Sequence, residues 1–265
     1  MTHLVTGATG GLGLEMARQL VQQGHEVWVH GRSEQSAARA RATVGAERAF
    51  HADLGRTDQV MAMAEAVIDA GGVDVLTNNA GAFFKDLDHV ASGLERHVAI
   101  NHVGPFLLTN RLLPHIRDRV VMVASDAHKQ ARPDLDDGEW STRSWNSMRA
   151  YADSKLFNIL YARALARRAD ISVNALHPGF VDTGIGDRGS GGFARFMGRI
   201  IKAFGKSPEK AVACQMWAAT SDEAKTHTGV YFVKSAKKAP APLALDDALA
   251  ERLWTQTEQW ASRGP

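Results

Sequence analysis

Hydrophobic and polar positions alternate along this chain in two rhythms. Short runs dense in β-branched and aromatic residues recur at "HLVT" (His3 to Thr6), "EVWVH" (Glu26 to His30), "RAFHA" (Arg48 to Ala52) and "VDVLTNN" (Val73 to Asn79). The series continues with "RVVMVAS" (Arg119 to Ser125), "ISVNALH" (Ile171 to His177) and "GVYFV" (Gly229 to Val233). Between them lie helix-length segments, such as Leu14 to Gln23 after the first run. Strand and helix signals in alternation predict βαβ units around a parallel sheet. With no Pro- or Ser-rich linker and no internal repeat, seven such strands predict one α/β domain over residues 1–265.

Two stretches break the rhythm. From Asp126 to Ala150 runs a polar insert carrying Trp140 and Trp145, too long for a simple connection and placed where long loops shape sites. From Gly179 to Lys206 comes a glycine-rich stretch and then Phe193, Phe196, Met197, Ile200, Ile201 and Phe204 at helical spacing, opposite Arg195, Arg199, Lys202 and Lys206. That pattern predicts a lid over about 184–206, with five glycines between Gly184 and Gly192 leaving the backbone little restrained.

Composition narrows the function. A chain of 265 residues, 45% hydrophobic and 23% charged, can bury a full core. A net charge of +2 gives no nucleic-acid footprint. Cys214 is the only cysteine, which excludes an intramolecular disulfide and fits a reducing, cytoplasmic setting. The chain opens "MTHLVTGATGG" without a basic then apolar leader, and nowhere holds about 18 consecutive apolar residues, so neither an export signal, an N-terminal anchor nor a membrane span is expected. The 11 histidines show no i,i+3 or i,i+4 pair, and no metal site is expected.

Three features carry chemistry. "YADSK" sets Tyr151 four residues before Lys155, on one helix face, where an ammonium would draw down a phenol that otherwise titrates near roughly 10. "TGATGGLG" puts Gly7, Gly11 and Gly13 between the first strand and a helix, where backbone amides can approach a phosphate, although the spacing departs from G-x-G-x-x-G. After the second strand stands Arg32, with no acidic residue to take a ribose hydroxyl, which points to a 2′-phosphate and NADP(H). An acidic residue in place of Gly31 would repel that phosphate, so Gly31→Asp together with Arg32→Ala is expected to reverse the preference.

In order and spacing, "TGATGGLG", "NNAG" (Asn78 to Gly81), "NHVGPFLLT" (Asn101 to Thr109), "VVMVASDAH" (Val120 to His128), "YADSK" and "NALHPGFVDT" (Asn174 to Thr183) resemble the short-chain dehydrogenase/reductase family, nearest its retinol-dehydrogenase and WW-domain-oxidoreductase branch. The resemblance implies a Rossmann-type doubly wound fold with seven parallel strands in the order 3-2-1-4-5-6-7. It implies Tyr151 as general acid or base, Ser125 donating to the same substrate oxygen, Lys155 tuning Tyr151 and gripping the nicotinamide ribose, and Asn101 anchoring a water that links Lys155 to solvent. Cofactor contacts would come from Gly7, Thr9, Gly11, Leu12, Gly13 and Arg32, and from Asp53 and Leu54 at the adenine. Asn79, Ala80 and Gly81 would stand at the adenosine ribose, with Asn78 and Asn79 also fixing the sheet, and Pro178, Gly179 and Thr183 at the carboxamide. Where that branch has a second serine and a basic residue, this chain has Ala124 and Asp182.

The implied activity is an NADP(H)-dependent ketoreductase or dehydrogenase acting on a small-molecule carbonyl or alcohol, as a homodimer or homotetramer. A non-catalytic NADP(H)-binding redox sensor is the alternative, and its mark would be loss of Tyr151 or Lys155. Trp140, Trp145, Phe180, Phe193, Phe196 and Met197 point to a fairly apolar pocket open to retinoids, lipid aldehydes, steroids or aromatic polyketides.

Overall fold

The computed structural model describes residues 1–178 and 212–264. The stretch from Gly179 to Ala211, with the expected lid, Phe180, Asp182 and Thr183, lies outside the described residues.

The strands are β1 (Thr2–Val5), β2 (Glu26–Gly31), β3 (Arg48–His51), β4 (Val73–Asn78), β5 (Ile116–Val123), β6 (Ser172–His177), β7 (Tyr231–Val233) and β8 (Ala236–Lys237). They form one sheet in the order β3-β2-β1-β4-β5-β6-β7-β8, parallel from β3 to β7. The seven-strand order is the one expected, but an eighth strand is added, antiparallel to β7. It exists because Lys234 and Ser235 both take positive φ (52° and 59°), the backbone of a two-residue hairpin turn. Neither residue is one such turns favour, so the reversal left no sequence signal.

Between the strands run α1 (Gly11–Gln22), α2 (Glu34–Val44), α3 (Thr57–Asp69), α4 (Arg96–Val98), α5 (Gly104–Leu112) and α6 (Ser147–Ala166). After the undescribed stretch come α7 (Ala213–Thr220), α8 (Asp222–Lys225) and α9 (Asp247–Ala261). The strands read as continuous apolar runs because both faces are covered. Leu4, Trp28, Leu76, Val120, Met122 and Val173 face one core cluster, while Val5, Val27, Val29, Val75, Val121 and Leu176 face the other.

Helix α6 is not the amphipathic helix its first residues suggest. It starts at Ser147, so Tyr151 stands in its second turn, and every residue from Ala150 to Ala162 is buried. The reason is α9, which closes over its outer side: Phe157 meets Trp260 at 6.1 Å between ring centres, and Tyr161 meets Trp254 at 5.6 Å. His102 donates from Nε2 to Thr257 Oγ1 (2.9 Å), because the Thr257 hydroxyl proton goes to the Leu253 carbonyl.

The insert folds on itself. Asp137 accepts the backbone and hydroxyl protons of both Ser141 and Thr142, and the Arg143 guanidinium lies 3.6 Å over the Trp140 ring. Trp140 is 3% exposed and packs inside this knot under Arg143. Trp145 does reach the site.

Candidate active site

The strand order reverses between β1 and β4, where the connections from neighbouring strands leave in opposite directions and open a crevice at their C-terminal ends. The glycine-rich turn lies at that point. Gly7 takes φ +66°, and a Cβ there would stand 2.7 Å from Ala80 Cα. A Cβ on Gly13 would meet Asn79 Nδ2 at 2.4 Å and the Gly7 carbonyl at 2.5 Å. A Cβ on Gly10, by contrast, would meet nothing within 4 Å among the described residues. Gly10 also N-caps α1 without a side-chain bond, and the first turn holds no acidic residue. The first amides of α1 therefore face outward uncapped, which fits the pyrophosphate of a dinucleotide. Thr9, Gly10 and Gly11 are exposed on that side, with Leu12 buried beneath.

Two side chains set this turn, of which His30 has no place in the sequence motifs. His30, at the end of β2, accepts the Gly7 N–H at Nδ1 (3.1 Å) and donates from Nε2 to the Ala52 carbonyl (3.0 Å). Burial holds its pKa down to about 4, so the ring is neutral and ties the glycine turn to the end of β3. Asn79 donates to Thr6 O (2.8 Å), and its own oxygen accepts from Gln215 of α7 (2.9 Å). Its amide thus braces the turn from within. Asn78 donates to Thr109 Oγ1 (2.8 Å), fixing β4 to α5 as expected.

Past the end of β3, Asp53 closes a short turn by accepting the Gly55 N–H (2.9 Å). Buried Leu54 follows it, and its carbonyl would stand 2.4 Å from a Cβ on Gly104, which explains the glycine of "NHVG". Arg32 is exposed beside Ser33 and Ser36, which cap α2 reciprocally. Gly31 has no room for a side chain: a Cβ would lie 2.6 Å from Thr9 Cγ2, 2.8 Å from Ser36 Oγ and 2.9 Å from Ala37 N.

On the other side of the crevice, Ser125 follows β5 and its Oγ accepts the Ala127 N–H (3.2 Å). Tyr151 is 7% exposed, and Lys155 one turn later is 3% exposed. The Lys155 Nζ donates to the Val123 carbonyl (3.2 Å) and stands 5.6 Å from the centre of the Tyr151 ring. The expected tuning of the phenol by this cation is absent here. Burial pushes Tyr151 up to about 12, opposed only by the Ser125 hydroxyl, and pushes Lys155 down to about 8. With both groups taken out of water, the loss of hydration favours the neutral form of each over their mutual attraction.

Asn101 sits in a π-helical turn, Ala99–Val103, a distortion frequent at functional sites. Its carboxamide pairs with the Ala82 peptide in both directions, Oδ1 accepting N–H at 2.8 Å and Nδ2 donating to the carbonyl at 2.9 Å, and it also donates to Ser154 Oγ (3.1 Å). It clamps the loop after β4 to α6. Ala80 N–H donates to Thr6 Oγ1 (3.0 Å), and Gly81 runs against Lys155. Pro178 is buried just past β6, while Gly179 and Thr183 are outside the described residues.

An aromatic wall adjoins Tyr151. Phe83 meets its ring edge-on at 5.5 Å and His97 at 6.1 Å, with Trp145 stacked on His97 at 6.5 Å. His97 accepts the Phe84 N–H at Nε2 (2.9 Å) and donates from Nδ1 to buried Glu95 (2.7 Å). Phe83, Phe84 and His97 were not singled out from the sequence, since their spacing fits a loop and a short helical turn equally well.

The short chain dehydrogenase family model matches residues 2–190. Retinol dehydrogenase 13 of Homo sapiens is 34% identical over 274 residues, covering 97% of this chain and 83% of the relative. Among solved structures, an uncharacterized protein of Mycobacterium paratuberculosis superposes with a TM-score of 0.83 at 28% identity, over 99% of this chain and 94% of the other. The 3-ketoacyl-(acyl-carrier-protein) reductase from Brucella melitensis, complexed with NADH, gives 0.64 at 25% identity, over 88% and 95%. Among the described residues no helix is long and apolar enough to cross a membrane. The chain belongs to the short-chain dehydrogenase family, near its retinol dehydrogenases, and is a nicotinamide-dependent oxidoreductase that interconverts carbonyls and alcohols.

Proposed function

We propose that this enzyme is an NADP(H)-dependent carbonyl reductase for a fairly apolar substrate, with Tyr151 as its general acid, working in the cytoplasm. The observation that carries this reading is the convergence of Ser125, Tyr151 and Lys155 beside the Gly81 backbone, at the mouth of an uncapped glycine turn. The nicotinamide supplies or accepts the hydride. Tyr151, held up to about 12, keeps its proton at neutral pH and can give it to a carbonyl oxygen as negative charge develops there. Ser125 has its Oγ lone pair engaged by Ala127 N–H, which leaves the hydroxyl proton to donate to the same oxygen. Lys155, lodged against Gly81, would hold the ribose hydroxyls, and Asn101 would keep that loop in place.

Arg32 supports NADP(H), as an exposed guanidinium beside the serine-capped start of α2. Phe83, His97 and Trp145 support an apolar, unsaturated substrate, in keeping with the name of the human relative. Cys214, buried and with no other cysteine to pair with, supports a reducing compartment.

The deciding experiment pairs Tyr151→Phe with a panel of carbonyl substrates followed by NADPH absorbance. Turnover is expected to fall about 10²- to 10⁴-fold with cofactor binding nearly unchanged. Retention of more than about a tenth of wild-type turnover would remove Tyr151 from the role of acid.

A further inference from the structure

Three histidines lie inside the motifs that build the site, His102, His128 and His177, and the proposed reaction uses none of them. Of these, His128 is bonded to a reacting residue. It is 1% exposed, in the tight turn Asp126–Gln130 that Ser125 caps. Its Nε2 accepts the Ala241 N–H (3.0 Å). A ring nitrogen that accepts an amide proton carries a lone pair, so the imidazole is neutral and its proton sits on Nδ1. That Nδ1–H donates to the Ser125 carbonyl (2.7 Å), which also accepts the His128 backbone N–H (3.1 Å). One residue thus engages both lone pairs of the Ser125 carbonyl.

The ring itself is held. Tyr231 of β7 meets it edge-on at 5.1 Å and donates its hydroxyl proton to Asp126 (3.0 Å), whose other oxygen pairs with Lys129 (2.8 Å). Lys238 N–H closes onto the Tyr231 carbonyl (2.9 Å), so the hairpin β7–β8 and the chain up to Ala241 form the bracket around His128.

We propose that His128 is a positioning residue for Ser125, through which the chain after β8 sets the direction of the Ser125 hydroxyl. The inference rests on the reading of Ser125 as a reacting group. A carbonyl bonded at two points fixes the turn that follows Ser125, and with it the Ala127 N–H that holds the Ser125 Oγ in place beside Tyr151. Small misplacements of a reacting group are costly, on the order of 10²-fold for about 1 Å.

Three variants separate the two bonds. In His128→Asn the amide nitrogen stands near the place of Nδ1, keeping the donor to Ser125 and losing the acceptor for Ala241. In His128→Gln the amide oxygen reaches the place of Nε2, keeping the bond to Ala241 and losing the one to Ser125. His128→Phe keeps the ring against Tyr231 and loses both. Turnover is expected to fall about tenfold or more in the Gln and Phe variants and to stay within about threefold of wild type in the Asn variant, with KM and cofactor affinity unchanged in all. A second readout needs no substrate: Ala127 N–H is bonded to Ser125 Oγ, so its hydrogen exchange, followed by NMR, should quicken in Gln and Phe but not in Asn. A Gln variant as fast as the Asn variant, or unaltered Ala127 exchange in the Phe variant, overturns the proposal. Were the wild type to reduce no carbonyl at all, the functional reading would fall alone and the exchange order would still decide the role of His128.

Discussion

Gly81 runs so close to Lys155 that a Cβ at residue 81 would stand 2.9 Å from Nζ. The atom it meets is the far end of a long side chain, which can swing away. Gly81→Ala is therefore expected to leave stability within about 1 kcal/mol of wild type, as for changes outside the packed core. It should displace Nζ from the Val123 carbonyl and lower cofactor affinity and turnover together, by about tenfold. Gly13→Ala is the contrast, since its Cβ would meet the Gly7 carbonyl at 2.5 Å, a backbone atom that cannot swing. Denaturation and cofactor titration of both proteins check this; a Gly81→Ala enzyme with wild-type affinity would separate Lys155 from the ribose.

The pH dependence follows from the same lysine. Burial holds Lys155 down to about 8, so it is charged below that pH and neutral above it. Reductive kcat/KM should be level on the acid side and fall as pH rises through about 8, while the oxidation rate climbs toward the Tyr151 value of about 12. Lys155→Ala should lose both cofactor affinity and turnover at every pH. A wild-type profile still level near roughly 10, the ordinary lysine value, would mean that the charge on Lys155 is not needed.

The proposed preference for NADP(H) rests on two neighbouring residues with opposite room around them. A guanidinium facing a phosphate contributes about 1.5 to 3 kcal/mol, so Arg32→Ala should weaken NADPH binding roughly 10- to 200-fold and hardly touch NADH. The companion change expected from the sequence, Gly31→Asp, does not fit: its Cβ would crowd Thr9, Ser36 and the Ala37 backbone. It should damage the start of α2 rather than redirect specificity. Arg32 is exposed, so Arg32→Glu introduces the repulsive charge without a clash and is expected to turn the preference to NADH. Equal affinity of the wild type for the two cofactors would leave Arg32 a surface arginine.

Much of this was legible because it is carried by local pattern. The parallel strands, the glycine turn and the Tyr151 to Lys155 spacing each announce themselves within a few residues. What escaped depends on partners distant in sequence. His30 reads as the end of a strand until Gly7 and Ala52 stand on either side of it, and His128 as a loop residue until Ala241 arrives. The packing of Trp140 under Arg143 was equally hidden, since it depends on how the insert folds around Asp137. The tuning of Tyr151 was misjudged for a related reason, since helical spacing gives proximity to a charge but says nothing of burial, and burial dominates.

Acid stability brings the buried histidines to a test. His3 and His102 are held down to about 3 and His30 to about 4, all by burial, while burial raises Asp153 to about 6. A histidine that stays neutral in the fold but charges in the unfolded chain contributes stability in full above about 6.5, and loses it as pH falls toward the folded value. Asp153 acts in the opposite sense, because its protonated form is favoured in the fold and it regains stability as pH falls from about 6 toward 3.8. Between these limits the histidines outweigh the one carboxyl, since burial also lowers His25 and His128, so the unfolded chain binds more protons and stability falls as pH drops. His3 offers the cleanest probe: both of its ring nitrogens are buried without a hydrogen-bond partner among the described residues. His3→Leu removes an unsatisfied polar group and a suppressed charge at once, so it should stabilise the protein by about 1 to 3 kcal/mol at neutral pH and flatten the acid slope by about 1.4 kcal/mol per unit. Urea midpoints at pH 7, 6 and 5 would measure both effects, and parallel slopes for the two proteins would mean that His3 is not what acid attacks.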